Sequence, residues 1–175
     1  MMDYAKAYRQ LHARNRKIFG GFSIVEHVPA IAELVNEFKP DRILDYGCGK
    51  GLQYTQERVH DQWGGLMPAL YDPGVKALSR KPEGKFGGII CTDVLEHIEE
   101  FDLPEILDDI FGYAADEAFV FFNVACRPAK SKRLSDGRNV HVTVKPPEWW
   151  ETIIGHWHRD GLTIKTVYDQ ERYED

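Results

Sequence analysis

Residues 45–51 read Asp-Tyr-Gly-Cys-Gly-Lys-Gly and follow directly on the apolar stretch Arg42-Ile-Leu-Asp45. Glycines at alternate positions let the chain turn where a Cβ would clash and let a ligand approach the backbone closely. A short strand, this loop and a helix after Gly51 are the most constraining stretch of the chain. They suit the start of an open α/β sheet, in which ligands bind beyond the carboxyl ends of the strands.

The rest of the chain repeats the alternation. Ser23 with Glu26 forms a capping box that opens a helix through about Phe38, stopped by Pro40. Upstream, residues 4–18 read as helical, with Tyr4, Tyr8, Leu11 and His12 near one face. Leu66 to Tyr71 and Phe86 to Thr92 read as further strands. Asp102, Pro104 and Glu105 mark a helix start that runs to about Ala115. Ala118 to Val124 is a near-continuous apolar run, as expected of a strand buried on both faces. A loop of about 20 residues rich in Arg, Lys, Ser and Gly follows; loops of that length are often functional. Pro147 opens a helix through about Trp157, and Leu162 to Tyr168 is the last strand. The pattern predicts an α/β fold with a doubly wound, mainly parallel sheet of five strands, or six if Val140–Val144 adds one. All of 1–175 reads as one domain, with N-terminal helices over 1–38 and a core over 41–175.

Composition removes several function classes. No apolar run approaches the roughly 20 residues of a membrane span. The opening Met-Met-Asp-Tyr-Ala-Lys lacks the apolar core of a signal peptide, so a cytoplasmic location and no membrane partner are expected. The net charge of −6 argues against broad, non-specific nucleic-acid binding but leaves room for a local basic site. Cys48, Cys91 and Cys126 form no CxxC pair, which argues against a zinc ribbon or a disulfide framework. They read as small buried residues near strand ends.

Three ligand classes compete for the glycine loop. A phosphate loop needs Lys-Ser/Thr after its last glycine, whereas Leu52-Gln53 follows Gly51. A dinucleotide loop prefers G-x-G-x-x-G, whereas this one is G-x-G-x-G with Asp45 two residues ahead. A carboxylate there repels a pyrophosphate and suits a ligand carrying an ammonium or sulfonium. Asp72, 21 residues beyond Gly51 and at the end of the next strand, can accept hydrogen bonds from both hydroxyls of a ribose.

Leu44-Asp-Tyr-Gly-Cys-Gly-Lys-Gly51, Tyr71-Asp72-Pro73 and Phe86 through Ile98 together resemble the class I S-adenosylmethionine (SAM)-dependent methyltransferases over roughly residues 20–170. The resemblance implies a Rossmann-like fold and SAM as cofactor. It implies that Asp45, Gly47, Cys48, Gly49 and Gly51 lie against the amino-acid part of SAM. Asp72 and Pro73 would lie at the ribose, with Thr92, Asp93 and Val94 along the cofactor. The chain departs from that family between Asp72 and Gly87, where 14 residues stand in place of a helix, a strand and a second helix. The adenine contacts that this unit usually supplies in the family are not implied for this chain.

Asp93, Glu96 and His97 stand at i, i+3 and i+4, which on a helical turn share one face. With His141 from the long loop they could chelate a divalent ion. Mixed O/N ligation favours Mn²⁺, Fe²⁺, Co²⁺ or Zn²⁺ over Mg²⁺, which prefers oxygen. Such an ion can lower the pKa of a hydroxyl acceptor and orient it. The turn, with Arg138-Asn-Val-His141 through Trp150, resembles small-RNA 2′-O-methyltransferases and some ubiquinone-pathway O-methyltransferases, although Asp93 stands where a glutamate is more usual. A second reading keeps His97 and His141 as metal-free pocket residues, either able to act as a general base near pH 7. Under both readings these histidines face the acceptor.

Arg127, Lys130, Lys132, Arg133 and Arg138 make the long loop basic, suited to an anionic acceptor or simply to water. Trp149 and Trp150 read as one core residue and one pocket floor, and Tyr4, Tyr8 and His12 as a lid or a packing stripe. The sequence therefore points to a methyltransferase, most simply an O-methyltransferase of a small molecule or sugar. An RNA end as acceptor, or a SAM-binding module without methyl transfer, are the alternatives.

Overall fold

A computed structural model describes residues 20–134 and 136–170. The helix expected over 4–18, with Tyr4, Tyr8 and His12, lies outside them. Five strands form one all-parallel sheet: β1 (Ile43–Tyr46), β2 (Ala69–Tyr71), β3 (Phe86–Thr92), β4 (Ala114–Ala125) and β5 (Leu162–Asp169), in the order β2-β1-β3-β4-β5. Successive side chains of a strand point to opposite faces. Ile43 and Leu44, Ile89 and Ile90, and Phe119 and Val120 are accordingly divided between two apolar cores. This is why the strands read as continuous apolar runs rather than alternating ones.

Helix α1 (Val28–Phe38) packs Ile31, Leu34 and Val35 on one face of the sheet, together with Tyr54 from the single turn α2 (Leu52–Thr55) and with Trp63. Helices α3 (Leu103–Gly112) and α4 (Pro147–Gly155) cover the other face with Leu107, Ile110, Trp150 and Ile154. The strand ends that carry the site thus project from a sheet clamped on both sides. No helix among the described residues is long and apolar enough to cross a membrane.

Several local expectations are corrected. Ser23 does not cap a helix: its hydroxyl lies 3.1 Å from Thr92 Oγ1. A 3₁₀ stretch, Phe22–His27, leads instead to an α-helix opened by Pro29, whose fixed φ and missing N–H suit the first turn. Asp102 likewise makes no side-chain cap bond, and the helix it precedes stops at Gly112. The strand ending at Tyr71 starts only at Ala69, after Gly64 and Gly65 in left-handed conformations and a turn. The last helix ends at Gly155, two residues early. Val140–Val144 is not a strand, because the sheet already ends at β5 and this segment folds back beneath the β3 loop, where Thr143 N–H donates to Glu96 O at 3.1 Å. The missing strand–helix unit is real: between β2 and β3 the chain forms only a 3₁₀ turn, Lys76–Leu78.

Leu107 is fully buried between α3 and the sheet. Leu107→Ala is expected to cost about 2–5 kcal/mol, read as a lowered urea midpoint at unchanged m value.

Candidate active site

The loop after β1 is held by backbone groups at the end of β2. Gly47 and Cys48 N–H both donate to Tyr71 O, at 2.7 and 3.2 Å. Gly47 has φ 81°, and a Cβ there would collide with Val94. Gly51 has φ 68° and starts the α2 turn, so both positions exclude ordinary side chains. Asp72 ties the same loop from its side chain. Its Oδ2 accepts from Gly49 N–H at 2.8 Å and its Oδ1 from Gly74 N–H at 2.7 Å. Burial pushes its pKa up, against these hydrogen bonds.

Asp45 sits behind the loop, only 2% exposed. Its Oδ2 accepts from Tyr54 Oη at 2.8 Å and from Gln53 Nε2 at 3.1 Å. Burial, chiefly, raises its pKa to about 7. Cys48 is also buried, and its thiol is pushed up by burial.

Past β3 the chain reverses at Asp93, whose φ of 57° is uncommon outside glycine but better tolerated by aspartate than by most residues. A 3₁₀ turn, Leu95–His97, follows in place of the α-helical turn the spacing suggested. The reversal still brings Asp93, Glu96, His97 and His141 together, with one potential ligand atom from each lying within 4.8 Å of the others. His97 Nδ1 lies 2.9 Å from Val140 O, and His141 Nδ1 lies 2.7 Å from Arg127 O. A carbonyl only accepts, so each ring carries its proton on Nδ1 and presents an Nε2 lone pair. Both Nε2 atoms face Asp93 Oδ1, at 4.0 and 3.9 Å. Glu96 is fully buried; its Oε1 accepts from Ala125 N–H at 2.9 Å, while its Oε2 meets no donor. Burial, then the neighbouring Asp93, drives the Glu96 pKa well up. Burial lowers His97 to about 4 and lowers His141 as well.

A cleft of about 770 Å³ opens over these strand ends, within the range of small-ligand sites. Of the residues singled out in the sequence, Gly47, Gly49, Asp72, Pro73, Thr92, Asp93, Val94 and His97 line it. Asp45, Cys48 and Gly51 do not; they shape the loop from behind. Glu96 and His141 stand just beneath, in the cluster with His97.

A family model described as a methyltransferase domain matches residues 12–159 of the 175. The chain belongs to this methyltransferase family. No curated protein matches the sequence. The family and the parallel sheet make the chain a SAM-dependent methyltransferase, and the reading as a SAM-binding module without methyl transfer is set aside.

Sequence reasoning missed part of this methyltransferase's cleft. Gly20, Gly21, Phe22 and Ser23 line it, because Leu52 N–H donates to Gly20 O and Ser23 docks on Thr92. The glycine pair reads as a simple helix break in the sequence, but a Cβ at Gly21 would collide with Gln53 and with Cys48 O, contacts that only the folded loop creates. Lys81 and Asp109 also line the cleft. The basic loop is largely engaged with its own chain. Arg127 pairs with Asp169 at 2.6 Å, and Arg138 pairs with Glu99 at 2.7 Å and Asp136 at 2.8 Å. Lys132 is the loop's basic residue that lines the cleft. Trp150 is core, whereas Trp149 lies beside Lys145 Nζ, 5.0 Å from its ring, away from the cleft.

Asp45 gives the fold a testable pH dependence. With a folded pKa of about 7 against an ordinary 3.8, the native state keeps a proton that the unfolded chain has released. Stability from this group is complete below about pH 4 and declines as pH rises to about 7, by up to roughly 4 kcal/mol. Asp45→Asn keeps an acceptor for Tyr54 and Gln53 and removes the titration. Urea unfolding between pH 4 and 8 should show a shallower decline for the variant than for wild type; parallel curves would refute this assignment.

Proposed function

We propose that this methyltransferase methylates a hydroxyl of a small molecule or sugar, with a divalent ion held by Asp93, Glu96, His97 and His141. The observation that carries the reading is the convergence of two imidazole lone pairs and two carboxylates at the cleft's edge. Four ionisable groups without a cation make a costly arrangement. The buried Glu96 Oε2 has no donor, and Asp93 lies beside it. An ion satisfies both carboxylates at once, and the carbonyls on the two Nδ1–H groups hold the rings in the tautomer that ligation needs. The donor set of two nitrogens and two oxygens fits Mn²⁺, Fe²⁺, Co²⁺ or Zn²⁺ better than Mg²⁺.

SAM, when bound, supplies a methyl group already activated by its sulfonium, and the ion lowers the pKa of the acceptor hydroxyl. The chain's own residues do the rest. Asp72, held at the end of β2 by Gly49 and Gly74 N–H, is the carboxylate that would accept the ribose hydroxyls. Gly47 and Gly49 admit the methionine end close to the backbone, and Pro73, Thr92 and Val94 wall the cofactor. Asp45, with Cys48 and Gly51, fixes the shape of the loop. A histidine with its pKa near 4 is a weak general base at pH 7, which favours His97 as a ligand over a metal-free base.

An RNA end would also offer a ribose hydroxyl. The internal pairing of Arg127 and Arg138 leaves less of the loop for a phosphate backbone, and this favours the smaller acceptor.

Calorimetric titration of Mn²⁺ into protein saturated with S-adenosylhomocysteine tests the ion. Wild type should bind one equivalent, and His141→Ala should weaken binding by about tenfold or more. If wild type does not take up Mn²⁺, the metal reading fails, and His97 and His141 become pocket residues for other acceptors.

A further inference from the structure

The cleft continues past Asp72 into a region the glycine loop does not serve. The sheet order puts the end of β1, with its loop, between the end of β2, with Asp72, and the end of β3, with Asp93. With ribose at Asp72 and the methionine end at Gly47 and Gly49, the methyl group would lie toward β3. The base leaves the ribose from C1′, on the side away from the C5′ that bears sulfur. It would therefore lie on the side of the cleft lined by Gly74 and Lys81 of the crossover and by Ile106 and Asp109 of α3.

That space is walled. Residues 72–85 cross from β2 to β3 with only the Lys76–Leu78 turn, and the crossover is tied to α3 rather than covered by a helix of its own. Lys81 Nζ lies 2.5 Å from Asp109 Oδ1, and Lys85 Nζ donates to Gly112 O at 2.6 Å. Pro73 and Ile106 line the cleft there and give a flat ring apolar surfaces on which to lie. Asp109 is its fixed polar group. Its Oδ2 accepts from Tyr46 Oη at 2.9 Å, while Lys81 holds Oδ1, so the carboxylate is aimed before any ligand arrives. Each oxygen has a further lone pair for an incoming donor. A purine bearing a 6-amino group offers that donor, and one bearing a 6-oxo group offers an acceptor instead.

We propose that the space between β2 and α3 is the adenine subsite of this chain, rebuilt in place of the missing strand–helix unit, and that Asp109 selects adenine by accepting its 6-amino group. The proposal rests on the reading of the cleft as the SAM site. It makes Asp109 a specificity residue and Ile106 a wall of the purine slot. Lys81 and Tyr46 are positioning residues, which act through Asp109.

The experiment is calorimetric binding of S-adenosylhomocysteine and its inosine counterpart, S-inosylhomocysteine, to wild type, Asp109→Asn and Ile106→Trp. Wild type should prefer the adenosyl ligand by about tenfold or more, since a site built around a donor rejects an analogue lacking it. Asp109→Asn can present its amide N–H to the 6-oxo group, so the preference should collapse or invert whatever happens to absolute affinity. A merely structural role would weaken both ligands equally and leave the ratio intact, and that result would overturn the proposal. Ile106→Trp fills the slot from a partly exposed position and should weaken both ligands by about tenfold or more with an unchanged circular dichroism spectrum. If it binds S-adenosylhomocysteine as wild type does, the purine lies elsewhere and the proposal fails, even should Asp109→Asn not fold. Failure of wild type to bind S-adenosylhomocysteine at all would instead strike the SAM reading of the cleft.

Discussion

The site depends on the Asp72 carboxylate more than on any other group. It joins the carboxyl ends of β1 and β2 through Gly49 and Gly74 N–H, while Tyr71 O takes Gly47 and Cys48 N–H alongside. Hydrogen bonds to a charged acceptor are roughly twice as strong as neutral ones, and here they close a loop whose glycines have little other reason to adopt one shape. Asp45 does the same from inside, gathering Gln53 and Tyr54 beneath the loop. The two acids are therefore structural before they are functional: one sets the outer wall of the cofactor cleft, the other its foundation.

The opposite end of the cleft is organised by a conflict of charge. Glu96 is buried beside Asp93, and it answers by resisting ionisation. His97 and His141 answer burial by staying neutral, their Nδ1–H groups anchored on backbone carbonyls. These responses leave two imidazole lone pairs converging on Asp93, with Glu96 holding its proton beside it, an arrangement in which a cation could replace that proton. The strain at Asp93, with its positive φ, belongs to the same picture, since the reversal turns its carboxylate toward the two imidazoles.

Much of this was legible in the sequence because it was written in local pattern. The glycine spacing, the acid at Asp72 and the apolar runs of β3 and β4 declare a parallel α/β sheet. The 14-residue gap before Gly87 announces the lost unit. What escaped was long-range. Ser23 and Glu26 have the form of a capping box, but Thr92 takes the serine hydroxyl. Asp93, Glu96 and His97 looked like one helical face; they meet through a left-handed residue and a 3₁₀ turn, which no periodicity encodes. Arg127 and Arg138 looked available to a ligand until Asp169, Glu99 and Asp136 were found opposite them. Asp109 carried no signal, because its meaning comes from Tyr46 and Lys81, 63 and 28 residues away.

The central claim is that the cleft over the β1 and β2 ends is the SAM site, with Asp72 at the ribose. The most direct measurement is the affinity of S-adenosylhomocysteine for wild type and Asp72→Ala by calorimetry, with the melting temperature of each free protein recorded. The account predicts one site in wild type and a loss of about tenfold or more in the variant, beyond any change in its melting behaviour. Equal affinities for the two proteins, or no binding by wild type, would contradict it.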